Sequence, residues 1–237
     1  MKLLLDCGNS RTKWALAKKH VLVDSGVAEG AVIPASLKVQ PLESILLASV
    51  RQDAVYTGLL ASARQLAPVK VLRTPAEHNG LHCAYAEPAR LGVDRWLAML
   101  GAWSQQGQGF TLVDAGTAVT IDLVSDTGHH LGGAILPGDQ FMVESLVSRT
   151  SGIRPRPDDA APLYPARDTG AAVRAGARMA ALGAVKEALQ AASALNETGP
   201  LLLTGGAADW LATALADYHP QLSHQLVFEG MLEMDSC

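Results

Sequence analysis

Two ten-residue segments, nearly half a chain apart, carry one pattern. Leu3-Leu4-Leu5-Asp6-Cys7-Gly8-Asn9-Ser10-Arg11-Thr12 and Thr111-Leu112-Val113-Asp114-Ala115-Gly116-Thr117-Ala118-Val119-Thr120 each read as an apolar strand, an aspartate, a small residue, a glycine and polar turn residues. In both, a threonine stands six places after the aspartate. A period this long is not that of a solenoid. It predicts a duplicated domain, each half opening in a hairpin whose turn faces a phosphate. On 237 residues this places an N-terminal domain at 1–107 and a C-terminal one at 108–237.

The rest of the chain alternates strand-type and helix-type patterns. Short apolar runs at Lys2–Leu5, Ser44–Val50, Val69–Leu72, Thr111–Val113, Ala118–Val124 and Leu201–Thr204 predict strands. Apolar residues at helical spacing predict helices over Val55–Leu66 and Asp94–Gln105, and the alanine-rich Ala171–Leu195 predicts a third. Strands alternating with helices make an α/β protein. Ile153–Pro165 holds Pro155, Pro157, Pro162 and Pro165 beside Asp158 and Asp159, which predicts an exposed loop. The last thirty residues carry no motif.

Composition narrows the function classes. The net charge is −4 and aromatic residues are only 5%, which speaks against nucleic acid as a partner. Cys7, Cys83 and Cys237 form no CxxC pair, so free thiols in a reducing, cytoplasmic setting are expected. The opening leucine run ends at Asp6, too soon for a signal-peptide core. Ala171–Leu195 carries Arg174, Arg178, Lys186 and Glu187, which disqualifies it as a membrane span. The adjacent His129 and His130 lack metal-ligand spacing and read as loop residues.

The two turns have the chemistry of a polyphosphate site. An acidic residue at the end of a buried strand is costly unless it binds something. Gly8 lets backbone N–H groups approach an anion, Asn9 and Ser10 add donors, and Lys13 adds a positive charge. Asp6 is the candidate for holding Mg²⁺ directly or through water. The second turn offers Asp114, Thr117, Thr120 and Asp122. Leu201–Thr204 ends in Gly205 and Gly206, which suits close approach by the flat end of a nucleotide. Each segment alone also reads as an ordinary turn.

This ordered set resembles the superfamily of acetate and sugar kinases, the heat-shock chaperone ATPase and actin. That resemblance implies two similar actin-like (ribonuclease H-like) domains with a nucleotide cleft between them. Leu91-Gly92-Val93-Asp94-Arg95-Trp96, the stretch Leu112–Asp122, and Gly132-Gly133-Ala134-Ile135-Leu136-Pro137-Gly138 narrow it further. With the opening turn they are similar to the type III pantothenate kinase family, over most of the chain. Ser10 stands where many relatives have threonine, and the hydroxyl is kept.

The resemblance implies ATP-dependent phosphorylation of pantothenate, the first step towards coenzyme A. It implies Asp94 as the base facing the hydroxyl of pantothenate, a role a carboxylate can fill. On the residues alone, Asp94 reads first as a helix N-cap, and it is the resemblance that favours the base. Pantothenate contacts are implied for Tyr85, Gly92, Val93, Asp94, Arg95 and Thr169. Arg95 otherwise reads as a surface ion pair, and Thr169 as a cap before Ala171. The nucleotide is assigned to Asp6, Cys7, Gly8, Asn9, Ser10, Arg11, Thr12 and Lys13, with Thr117, Gly205 and Gly206. Asp114 matches a position implied to ligate a monovalent cation, K⁺ or NH₄⁺, and a homodimer is implied as well. Another small-alcohol kinase and a nucleotide-binding regulatory protein on the same scaffold are the alternatives.

Overall fold

The structure, a computed structural model, describes residues 1–154 and 164–236. Residues 155–163 of the expected proline-rich loop lie outside them, as does Cys237. The chain divides into two units. One holds residues 1–107 and the described residues from Gln225 on; the other is Gln108–His224.

The first unit opens with an antiparallel meander, β1 (Lys2–Cys7), β2 (Arg11–Lys18) and β3 (Val21–Glu29). Then come α1 (Ala35–Lys38), β4 (Ser44–Ser49), α2 (Ala54–Arg64) and β5 (Val69–Val71). A small hairpin of β6 (Glu77–His78) and β7 (Leu81–His82) precedes α3 (Val93–Gln106). The sheet order is β3-β2-β1-β4-β5, with β1, β4 and β5 parallel. The second unit has β8 (Phe110–Ala115), β9 (Ala118–Val124), β10 (His130–Pro137), α4 (Asp139–Arg149) and α5 (Thr169–Ala194). It continues with β11 (Leu201–Thr204), α6 (Ala208–Ala214) and β12 (Gln221–Leu222), before α7 (Leu226–Glu233) rejoins the first unit. Its sheet order is β10-β9-β8-β11-β12, with β8, β11 and β12 parallel. Order and direction match the first sheet strand for strand, which is the topological counterpart of the sequence repeat.

Side-chain alternation along the central strands sorts their faces. In the first unit Leu3, Leu5 and Cys7 join Leu16, Ile45, Leu47 and, from α2, Leu59 and Ala63 in one buried cluster. Leu4 and Asp6 belong to the opposite face, the face on which α7 meets β1 and α3 meets β4. In the second unit Val113, Ala115, Val119 and Ile121 pack with Val185 of α5 and Leu211 of α6.

The C-terminal residues were expected in the second domain. Instead α7, which buries Leu226, Val227, Phe228, Met231 and Leu232, packs along α3. Two glycines let the helix backbones touch. A β-carbon on Gly101 would stand 2.2 Å from the Leu226 carbonyl oxygen, and one on Gly230 would stand 2.0 Å from that of Leu97. Lys2 and Lys70 both reach Asp235 just beyond α7, and Lys70 Nζ donates to the Met234 carbonyl at 2.7 Å. Burial of this apolar helix outweighs sequence adjacency, so the chain end completes the first unit.

The repeat is also shifted from its expected register. Asp114 pairs with Thr120, but Asp6 pairs with Lys13, because the first turn is one residue longer. The structural counterpart of Thr120 is therefore Lys13, and that of Thr12 is Val119. Thr12 is fully buried and donates from Oγ1 to the Gly30 carbonyl at 2.7 Å.

Candidate active site

The first turn is held by its own backbone. Gly8 N–H donates to the Arg11 carbonyl at 3.0 Å, and Gly30 N–H donates to the Ser10 carbonyl at 3.0 Å. Asp6 is buried, with Lys13 opposite it across the ladder on the same face. Cys7 and Thr12 point into the fold, while Asn9, Ser10 and Arg11 are exposed. Arg11 also pairs with Glu29 at 3.0 Å, a contact between two exposed side chains. The side chains this turn presents are thus Asn9, Ser10, Arg11 and the half-buried Lys13.

In the second turn Gly116 N–H donates to the Ala118 carbonyl at 2.9 Å, and Gly138 N–H donates to the Thr117 carbonyl at 3.0 Å. Thr117 is exposed. Asp114 has Thr120 beside it on β9 and Thr204 beside it on β11. Gly205 closes this corner with φ +91°, and a β-carbon there would stand 2.4 Å from Asp114 Oδ1. Only glycine fits, by backbone angle and by space. Gly206 opens onto unfilled space. Gly138 is equally constrained, since its β-carbon would stand 2.6 Å from the Gly116 carbonyl oxygen. This is why Gly-Gly-x-Ile-x-Pro-Gly ends in glycine.

Asp122 does not join this corner. It is buried and bonded to His130 Nε2 at 3.0 Å. His130, expected in a loop, is the first residue of β10 and buried; His129 is exposed in the preceding turn.

Asp94 sits in the first turn of α3, but it is not the cap. Gly92 is the N-cap, and Asp94 Oδ1 accepts from Arg95 N–H at 2.8 Å. A carboxylate there is favoured by the unpaired N–H groups and dipole of the helix start. Arg95 is buried rather than on the surface, and its Nη1 donates to Tyr85 Oη at 3.2 Å. Thr169 is the exposed first residue of α5; the cap before Ala171 is Asp168, whose carboxylate accepts Ala171 N–H at 2.9 Å.

One group was missed from the sequence. Arg51 Nη1 donates to the Asn9 carbonyl at 2.5 Å, and Arg51 pairs with Asp53, the N-cap of α2. Only the Asp53 cap, three residues before Tyr56, had a local signal.

Among the described residues no three His, Cys, Asp or Glu side chains converge on a metal position.

The model of the type III pantothenate kinase family matches residues 2–191. The chain belongs to this family. A type III pantothenate kinase of Chromohalobacter salexigens is 37% identical over 98% of this chain and 86% of its own length. One of Teredinibacter turnerae is 35% identical over 99% and 98%. Among solved structures, a Campylobacter jejuni protein named as a Baf family transcriptional activator has a TM-score of 0.59 at 21% identity, covering 97% of this chain and 94% of that one. A Sinorhizobium meliloti protein named as a 2-dehydro-3-deoxygalactonokinase has a TM-score of 0.53 at 13% identity, covering 98% and 97%. At these identities the structures show the fold alone, the two-domain fold of actin-like ATPases and sugar kinases. As a type III pantothenate kinase, the protein phosphorylates pantothenate with ATP, in coenzyme A biosynthesis. Among the described residues of this kinase no helix is long and apolar enough to cross a membrane.

Proposed function

We propose that Asp94 is the base of this kinase. The placement of its carboxylate in the first turn of α3, with Gly92 leaving it room, is the observation that carries the reading. The hydroxyl oxygen of pantothenate attacks the γ-phosphorus, the bond to the bridging oxygen breaks, ADP leaves, and the proton passes to Asp94. Such a reaction needs positioning and charge neutralisation more than covalent chemistry.

Tyr85, Gly92, Val93, Arg95 and Thr169 are the pantothenate contacts. The Arg95 guanidinium, steadied by Tyr85, suits a carboxylate of the substrate. The first turn, Asp6–Lys13, takes the phosphates, with Lys13 as the cationic side chain beside Asp6. Thr117, Gly205 and Gly206 also hold nucleotide. Mg²⁺, when bound, neutralises phosphate charge, and Asp6 is its carboxylate partner.

Asp114 with Thr120 and Thr204 offers a hard oxygen set for K⁺ or NH₄⁺. A homodimer is supported by the second unit's surface. No described residue of α4 is buried, although it carries Phe141, Met142, Val143, Leu146 and Val147. Leu131 and Ile135 of β10 and Met179 of α5 are exposed as well.

The test is ADP release with pantothenate and a panel of small alcohols, in K⁺, NH₄⁺, Na⁺ and Tris at constant ionic strength. Turnover confined to pantothenate and raised by K⁺ or NH₄⁺ is expected. Equal rates in all four buffers would remove the cation from the reading.

A further inference from the structure

We infer that Arg51 is a positioning residue for the phosphate-facing turn, an inference that rests on the reading of that turn as the phosphate site. The end of β4 and the loop after it touch the end of β1 and its turn at two points. Ser49 Oγ donates to the Cys7 carbonyl at 3.3 Å and accepts Arg51 N–H at 3.0 Å. The Arg51 guanidinium then bridges two acceptors, the Asn9 carbonyl at 2.5 Å through Nη1 and the Asp53 carboxylate through Nε and Nη2. The Arg51 side chain is 18% exposed, so these contacts cover most of it at the edge of the turn. Asp53 is fixed in turn by accepting Tyr56 N–H at 3.0 Å.

The consequence lies in the geometry of one peptide unit. The Asn9 carbonyl and the Ser10 N–H belong to the same planar trans amide and point in opposite directions. With the carbonyl held by Arg51, the Ser10 N–H is turned away from Arg51. Gly8 N–H is already committed to Arg11, whereas Asn9 N–H and Ser10 N–H have no partner among the described residues. Arg51 therefore aims one of the two amide donors that the turn keeps for an anion. A preorganised donor of this kind needs no reorganisation when phosphate arrives. The same loop also borders the base: a β-carbon on Gly92 would stand 3.8 Å from Val50 Cγ1.

Steady-state kinetics on the full chain tests this. Arg51→Met is expected to raise the KM for ATP about tenfold, with the KM for pantothenate within about twofold of wild type. Arg51→Lys, which keeps the charge without the planar fork, is expected to fall between them. Asp53→Asn should shift the KM for ATP in the same direction by less, and these two variants carry the test if Arg51→Met does not fold. An unchanged KM for ATP in Arg51→Met, or KM values for both substrates rising together, would overturn the inference. Lys13→Met separates this from the reading beneath it. A raised KM for ATP there, with none in Arg51→Met, rejects Arg51 and keeps the turn; no change in either variant rejects the turn itself.

Discussion

A β-carbon on Gly92 would stand 2.5 Å from Asp94 Oδ1. The backbone of Gly92 is in an ordinary region, with φ −52° and ψ 129°, so what the glycine supplies is room for this orientation of the carboxylate and not a special conformation. The absent side chain lets the carboxylate fold back over the helix start and accept Arg95 N–H. Gly92→Ala must rotate that carboxylate. We expect kcat to fall about ten- to a hundredfold, since small misplacements of a reacting group are costly, with the thermal midpoint little changed. A kcat within twofold of wild type would show that the carboxylate orientation does not matter.

Arg95 and Tyr85 give a second prediction. The buried guanidinium donates to the tyrosine hydroxyl, and hydrogen bonds to charged groups contribute about 1.5–3 kcal/mol. Tyr85→Phe should raise the KM for pantothenate about tenfold or more and leave the KM for ATP unchanged. Equal changes in both would assign Tyr85 to general stability.

Stability should carry a signature of Glu229 on α7. Its half-buried carboxyl is pushed above the usual carboxylate range by burial, an effect only partly offset by the Gln105 amide bonded to it at 2.5 Å. The folded state therefore holds this proton more tightly than the unfolded chain. The stabilisation is fully present below about pH 4.5, the unfolded value, and is lost as pH rises through the higher folded value. Glu229→Gln should accordingly raise the melting midpoint at pH 7, and its advantage should vanish in acid. A variant less stable than wild type at pH 7 would contradict this.

The exposed apolar side chains of the second unit predict self-association. Light scattering should give about twice the chain mass of 24.8 kDa. Ile135→Lys combined with Phe141→Glu should return the protein to a monomer. A wild-type monomer at micromolar concentration would remove the dimer from the account.

Much of this architecture is legible in the sequence, and its limits have physical causes. The central strands announce themselves because both faces are buried, giving unbroken runs such as Leu3-Leu4-Leu5 and Leu201-Leu202-Leu203. The edge strands β3 and β10 hold apolar runs of the same length, Val21-Leu22-Val23 and Ala134-Ile135-Leu136, but these side chains stay largely exposed and are interrupted by Asp24, Gly26, Gly132 and Gly133, so the strands are harder to read. Helix α7 is strongly apolar, but nothing local says that it returns to α3; the small residues that permit it, Gly101 and Gly230, gain meaning only as a pair. In the site, the motif glycines were readable and the assignment of caps was not. Asp94, Asp168 and Thr169 all suit a helix start, and only geometry distributes the roles. Arg51 was invisible because it acts on a backbone carbonyl, which leaves no residue type for a pattern to match.

The most direct measurement is kcat for pantothenate at saturating ATP in Asp94→Asn, with ATP affinity measured separately by equilibrium binding. Loss of a general base typically costs ~10²–10⁴-fold. The account predicts a fall of that size in kcat, with ATP affinity and folding retained. Near wild-type turnover in a folded, ATP-binding Asp94→Asn would contradict the assignment of the base, and with it the proposed chemistry of the site.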